Sequence, residues 1–483
     1  MTGHTVPVFI GVDVGTSGIR AIAAGFEGTL MAGAERLIAT DRRPAASLHE
    51  QDPEEWWREV CVALNQTLQH LSQEKPRHEV QGIAVTSTSG TLIVAGESGQ
   101  PLRPAILYDD RRSAEVCQEL EGMNPGASFR IDPSYSLAKA LWVRKEEPEI
   151  WAKTRYLLHP ADWLTGKLTG EFGLSDHSNS LKLGYDPETR RWGSAVAAAR
   201  LPAEFLPRVL RPGQRAGTIS SPASQQTGLA PGIPVLAGAT DGITSLVASG
   251  ASQPGHANTT LGTTLVWKAL SREKPPAANG IYSHLHPTGL WAPGAASNTG
   301  PGCVQRKGHS VKPAELDRLA QAVMPTPVLC YVLPGKGERF PFLNNQAVTF
   351  REGEPRNDLE WYAAQLQAIA FAERWGYEVL EEQGVTIGEV VFSAGAAAAS
   401  PVLSGLRANV LKRAVSRCHH PTAAVGAAIL AAAGTQYGGD TAGAIMAMTL
   451  PAETHTPVPE QATKYDELYG RFRAACARRG YGS

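Results

Sequence analysis

Apolar and β-branched residues crowd both sides of the small-residue stretch GVDVGTSGIR, residues 11–20. Over residues 8–24 this predicts a strand, a tight turn and a second strand, and residues 29–38 predict a third strand antiparallel to them. The spacing then lengthens. Trp56, Val60 and Leu64 recur at helical intervals behind Asp52 and Pro53, a capping carboxylate followed by a proline suited to the first helical position. Strands are predicted again over residues 82–86 and 92–95, with a turn at 98–100.

The opening pattern recurs in the second half. Residues 256–270, HANTTLGTTLVWKAL, again read as strand, Gly-Thr-Thr turn, strand. One such unit in each half predicts a duplicated α/β architecture, with a first domain at 1–250 and a second at 251–483. Just before that boundary the apolar run 233–237 leads into GATDG and the helix-compatible ITSLVASG, which places Asp241 at a helix N-terminus.

Length and composition agree with this organisation. A chain of 483 residues is too long for one core, and 42% apolar with 19% charged residues describes an ordinary globular protein. The formal net charge is −1 with no basic run, so nucleic acid is not an expected partner. Cys61, Cys117, Cys303, Cys330, Cys418 and Cys476 are widely spaced, without a C-x-x-C pair or a metal-ligand pattern, and read as reduced thiols. No segment has a targeting pattern or the apolar length to cross a bilayer, so a cytoplasmic protein without a membrane partner is expected.

Turns rich in Gly, Ser and Thr suit the gripping of phosphate, because glycine lets the backbone approach and N–H and hydroxyl groups donate. There is no G-x-x-x-x-G-K-[ST] and no protein-kinase signature, so the two hairpin turns are the candidate cradles, with Thr16, Ser17, Thr263 and Thr264 as donors. Asp13, beside the first turn, suits Mg²⁺ held directly or through water. The alternative is a side-chain turn that closes a hairpin. Asp241 has two readings as well, a helix cap or a general base.

GVDVGTSGIR, GATDG, LGTT from Leu261, ASNTG from Ala296 and AAVGAAILAAAG at 423–434 resemble, in that order, the FGGY family of carbohydrate kinases. The resemblance runs from residue 9 to beyond 434. It implies two actin-like, ribonuclease-H-like domains with ATP and sugar in a cleft between them, Mg²⁺ as cofactor, and a monomer or homodimer. Residues 87–112, 157–188 and 335–342 look like the D-ribulose kinase branch of cyanobacteria and plants, once labelled xylulose kinase, so D-ribulose is the implied acceptor, with D-xylulose the alternative and glycerol a distant third.

Carried onto these positions, the resemblance makes Asp241 the catalytic base and Asp13 the Mg²⁺-associated carboxylate, both near the sugar. Thr16 and Ser17 would contact phosphate or sugar. Gly262, Thr263 and Thr264 would form the second phosphate-gripping turn, with Gly300 beside the nucleotide. Residues 86–89, including Ser89, and 108–111, including Asp110, would face the sugar, although Asp110 and Arg111 also read as a surface ion pair. One departure concerns the adenosine site. Gly395, Ala396, Ala397 and Ala398 stand where Gly-Gly-Gly-Ala is usual, and Ser400 where Asn is common. The added methyls either crowd the purine or pack as helix. Two rival classes share these features: a chaperone-like or actin-like ATPase, and a catalytically silent sugar sensor.

Overall fold

The computed structural model describes residues 5–43, 48–123, 131–305 and 311–482. The chain divides into two units, one of Met1–Ala248 with Thr422–Leu450, the other of Ser249–Pro421 with Pro451–Ser483.

In the first unit a six-stranded sheet runs in the order Arg215–Thr218, Pro234–Leu236, His78–Ser87, Val6–Val14, Gly18–Gly25, Leu30–Leu37. Val6–Val14 pairs antiparallel with Gly18–Gly25 and parallel with His78–Ser87, so Asp13 lies opposite Arg20 on one side and Thr86 on the other. Side chains alternate across the central strand. Val8, Ile10 and Val12 pack with Trp56, Val60 and Leu64 of the helix Pro53–Gln73, which Asp52 caps by accepting from Glu54 N at 2.9 Å. Phe9 faces the other way, onto Ala424, Ala427 and Ala428 of the helix Ala423–Thr435. A strand covered on both faces explains the unbroken apolar run.

The expected division at 250/251 needs one correction. Residues 422–450, assigned by the sequence to the second domain, belong to the first unit. The helix Ala423–Thr435 packs closely on this unit: a Cβ on Gly11 would lie 1.8 Å from Ala424 O and one on Gly426 would lie 1.9 Å from Thr244 O. The helix that packs on the first sheet follows six of the second sheet's seven strands in sequence and precedes the last, Pro451–His455.

The second unit repeats the arrangement. Its seven-stranded sheet runs Tyr282–Leu285, Trp291–Ala296, Leu265–Ala269, Ala257–Leu261, Val390–Ala394, Ala414–Cys418, Pro451–His455. Again the first hairpin strand pairs antiparallel with its partner and parallel with a later strand. The helix Asp358–Glu382 lies in the core, and Tyr377 on it hydrogen-bonds Thr259 at 2.6 Å. The same helix brings Glu373 to Arg407, a fully buried bidentate pair at 2.6 and 2.7 Å. Removing either partner would strand a buried charge.

These contacts predict a contrast among glycine-to-alanine changes. Gly11→Ala and Gly426→Ala force backbone apart and each lowers the melting temperature by more than about 4 °C. Gly470→Ala, exposed on the helix Pro459–Ala477 with nothing near its missing Cβ, raises stability by roughly 0.5–1 kcal/mol through helix propensity. Thermal melts of the three variants check this, and equal effects would contradict it.

Candidate functional site

Asp13 stands near the end of the central strand, just before a turn closed by Gly15 N donating to Gly18 O at 2.9 Å. The turn is tied down through Thr16 O, which accepts from Gln51 Nε2 at 2.7 Å and Thr40 Oγ1 at 3.2 Å. The Thr16 and Ser17 hydroxyls make no hydrogen bond among the described residues, and Ser17 is exposed. They are the donors this turn offers.

Asp241 opens the helix Asp241–Ala248. A capping side chain would accept from the N–H groups two or three residues on. Here Ile243 N and Thr244 N donate instead to Thr240 O, both at 2.9 Å, and among the described residues the Asp241 carboxylate accepts only from Gly242 N, at 2.7 Å. This geometry weighs against the cap and leaves lone pairs for another partner. The segment is set firmly. Gly238 crosses the strand so closely that a Cβ would lie 1.8 Å from Val85 O. Thr86 Oγ1 donates to Ala239 O at 2.7 Å, and Thr240 N donates to Ser178 Oγ at 2.9 Å. Ser178 in turn donates to the buried Asp176 at 2.5 Å.

The fold sets Asp13 and Asp241 at the same end of one sheet, where Val14 pairs with Ser87 and Ser87 with Thr240. Burial pushes the Asp13 carboxyl up to about 7, and the Asp241 charge adds to the rise against a smaller opposing effect of Arg20. Asp241 is raised by burial too, offset by the Gly242 N–H and the Lys182 ammonium. Lys182, which the sequence reading gave no role, donates to Ser134 Oγ at 3.2 Å. It lies against Gly90, whose φ of +87° and lack of a Cβ leave room for the lysine stem. Only its place in the SDHSNSLK run distinguished it in sequence.

The predicted sugar-facing residues divide. Ser89 is half-buried, with its hydroxyl unengaged among the described residues, beside Gly90 and so near Lys182. Thr86 and Ser87 are instead buried in the scaffold, Ser87 Oγ accepting from Ala161 N at 3.1 Å. Asp110 is corrected as well. Its buried carboxylate accepts from His49 N at 2.7 Å, Arg112 N at 2.9 Å, Arg112 Nε at 2.9 Å and Arg112 Nη2 at 2.8 Å, so its lone pairs are taken. The ion pair is buried and made with Arg112, while Arg111 is exposed.

In the second unit the predicted glycines converge on the turn of Gly262, Thr263 and Thr264. Gly302 N donates to Thr263 O at 3.1 Å. A Cβ on Gly300 would sit 2.5 Å from Thr264 Cα, and one on Gly395, at φ +87°, 2.6 Å from Leu261 O. Thr263 is exposed, and neither threonine hydroxyl is engaged among the described residues. Ala396 is exposed in the short turn Ala396–Ala399, whereas Ala397 and Ala398 pack on the core. The packing alternative therefore holds for the latter two and not for Ala396. Ser400 is corrected to a structural role. It caps the helix Pro401–Leu411, accepting from Leu403 N at 3.2 Å, and donates to Asp317 at 2.5 Å. Serine caps a helix as asparagine would.

The residues fit the groups the resemblance implies. No cluster of three or more His, Cys, Asp or Glu suited to a metal occurs among the described residues. Two carboxylates that repel each other suit Mg²⁺, which keeps waters and phosphate oxygens as its other ligands. The free threonine hydroxyls at 263 and 264, with exposed backbone at 395–396, suit a nucleotide.

Comparison with known proteins agrees. Residues 8–248 match the N-terminal domain of the FGGY family of carbohydrate kinases, and residues 257–435 match its C-terminal domain. The chain is 29% identical over 408 residues to the xylulose kinase of Escherichia coli strain K12, covering 81% of this chain and 82% of that protein. The crystal structure of xylulose kinase from Rhodospirillum rubrum superposes with a TM-score of 0.84 at 26% identity, covering 98% of each chain. Plasmodium falciparum glycerol kinase, at 17% identity and a TM-score of 0.84 over 97% of each chain, shares the fold.

The Asp13 pKa yields a pH prediction. A carboxyl raised from 3.8 to about 7 binds its proton more tightly in the folded chain. The folded state is thus favoured below the lower value, and that advantage is lost as pH rises towards the higher one. Between pH 4 and 7 the melting temperature of the ligand-free protein falls more steeply than that of Asp13→Asn. Parallel curves would contradict the shift.

Proposed function

The chain belongs to the FGGY family of carbohydrate kinases, and from that premise we propose that it phosphorylates a pentulose, D-ribulose, on its terminal hydroxyl to give D-ribulose 5-phosphate. The observation that carries the reading is the pairing of Asp13 with Asp241 in one unit, with Asp241 freed from capping. The pentulose class is supported by the relatives named xylulose kinase. D-ribulose in particular is supported by the resemblance of residues 87–112, 157–188 and 335–342 to that branch. The relatives' names favour D-xylulose as the second reading.

The residues divide the work. Asp241 orients the attacking hydroxyl and takes its proton, and in a loose transition state a carboxylate of modest basicity suffices. Ser89, Ser17 and Lys182 supply donors to the sugar oxygens, and a polyol requires many such partners. Thr16, Thr263 and Thr264 donate to phosphate oxygens. Asp13 would hold Mg²⁺, which when bound neutralises charge on the transferring phosphoryl group. Most of the rate then comes from positioning and from charge stabilisation.

Replacing Asp241 by Asn keeps the shape and removes the proton acceptor. Turnover falls by about 100-fold or more while ATP binding and melting temperature stay near those of the wild type. The measurement is coupled ADP production with D-ribulose, D-xylulose, L-ribulose, ribitol and glycerol. D-ribulose giving the highest kcat/KM supports the finer reading, and D-xylulose exceeding it overturns that reading. No ADP production with any of these five sugars would favour a silent sensor.

A further inference from the structure

Within the stretch GKGERFPF a buried carboxylate lies outside every role assigned above. Glu338 is 1% exposed, yet it faces five donors. Its Oε2 accepts from Ser297 Oγ at 2.7 Å, Tyr331 Oη at 2.7 Å and Thr299 N at 3.3 Å. Its Oε1 accepts from Asn298 N at 2.7 Å and from its neighbour Arg339 N at 2.8 Å. Two further bonds fasten the same segments, Asn298 Nδ2 to Gly337 O at 2.9 Å and Arg339 Nη2 to Ser297 O at 3.1 Å. Burial and the Glu338 charge keep the Tyr331 phenol protonated, so it remains a donor.

Three of the five donors belong to residues 297–299, which lead directly to the phosphate-gripping turn. Leu265, next after Thr264, donates its N–H to Thr299 O at 2.8 Å and accepts from Ser297 N at 3.0 Å. Gly300, the residue after Thr299, lies against Thr264, and Gly302 N donates to Thr263 O. The path from Glu338 to the turn is therefore continuous. An isosteric amide weakens it in either flip: on the Oε1 side its NH2 group would face the N–H groups of Asn298 and Arg339, and on the Oε2 side it would face the Thr299 N–H and force the Ser297 and Tyr331 hydroxyls to turn from donating to accepting.

We propose that Glu338 is a positioning residue for the nucleotide: by fixing residues 297–299 it sets the backing against which Gly262, Thr263 and Thr264 present their donors to phosphate. The inference rests on the reading of that turn as the phosphate grip.

Calorimetric titration of the full chain with Mg·ATP tests it, together with KM for ATP and for D-ribulose. Glu338→Gln weakens ATP binding by about tenfold and raises KM for ATP in parallel, with KM for the sugar within about twofold of wild type. Ser297→Ala, which removes one donor from the loop side, moves ATP affinity in the same direction and decides the matter if Glu338→Gln does not fold. Tyr331→Phe removes a donor to the same oxygen from the core side and leaves the three loop donors in place. It lowers the melting temperature without moving ATP affinity, whereas a purely structural carboxylate gives stability losses in all three variants and unchanged affinity. Thr264→Ala separates the two layers. Weaker ATP binding in Thr264→Ala beside wild-type binding in Ser297→Ala and Glu338→Gln overturns the role of Glu338. Unchanged binding in Thr264→Ala overturns the reading of the turn itself.

Discussion

Two carboxylates held near each other in a poorly solvated place set the terms for the rest of this protein. Left in water, Asp13 and Asp241 would ionise freely; here burial and mutual repulsion push Asp13 up to about 7. Such an arrangement survives only where the backbone leaves neither group room to move away. The central strand supplies one side of that restraint, locked by its antiparallel and parallel neighbours and by the helix against Gly11. Gly238, Thr86 and Ser178 supply the other by fixing the residues just ahead of Asp241. Under the proposed assignment, a cation placed there would relieve the repulsion and turn the unfavourable pairing into binding energy for Mg²⁺.

The glycines of the motifs acquire a different meaning in this light. In sequence, glycine beside threonine suggests a backbone kept bare for a ligand. Gly238, Gly300, Gly395 and Gly426 are bare because another part of the chain passes within the reach of a Cβ. They bring the turns into place, and it is the hydroxyls of Thr16, Ser17, Thr263 and Thr264 that make no hydrogen bond among the described residues. The ordered motifs therefore report a packing scheme first and a binding site through it.

Much of this was legible from local pattern. Both hairpins, the helix behind Asp52 and the strand leading to Asp241 follow from alternation, helical spacing and capping chemistry, which act over a few residues. Where contacts span long separations the sequence was silent. Nothing local shows that the helix Ala423–Thr435 belongs with Gly11, since an alanine-rich helix suits any close approach. Polar residues were misread for a related reason: Asp110 and Ser400 have the composition of ligand-binding groups, but Arg112 and Asp317 already engage them. Glu338 carries no local signal, because what distinguishes it is the five donors that the fold gathers around it.

The central claim is that the Asp13 and Asp241 pair is the cation and proton site of phosphoryl transfer. Its most direct test is a titration of the Asp13 carboxyl by carbon NMR, first in the free protein and then with Mg²⁺ and ADP bound. The account predicts a midpoint of about 7 in the free protein and a fall to the ordinary carboxylate range or below on binding. A midpoint already ordinary in the free protein, or one that Mg·ADP leaves unmoved, would contradict it.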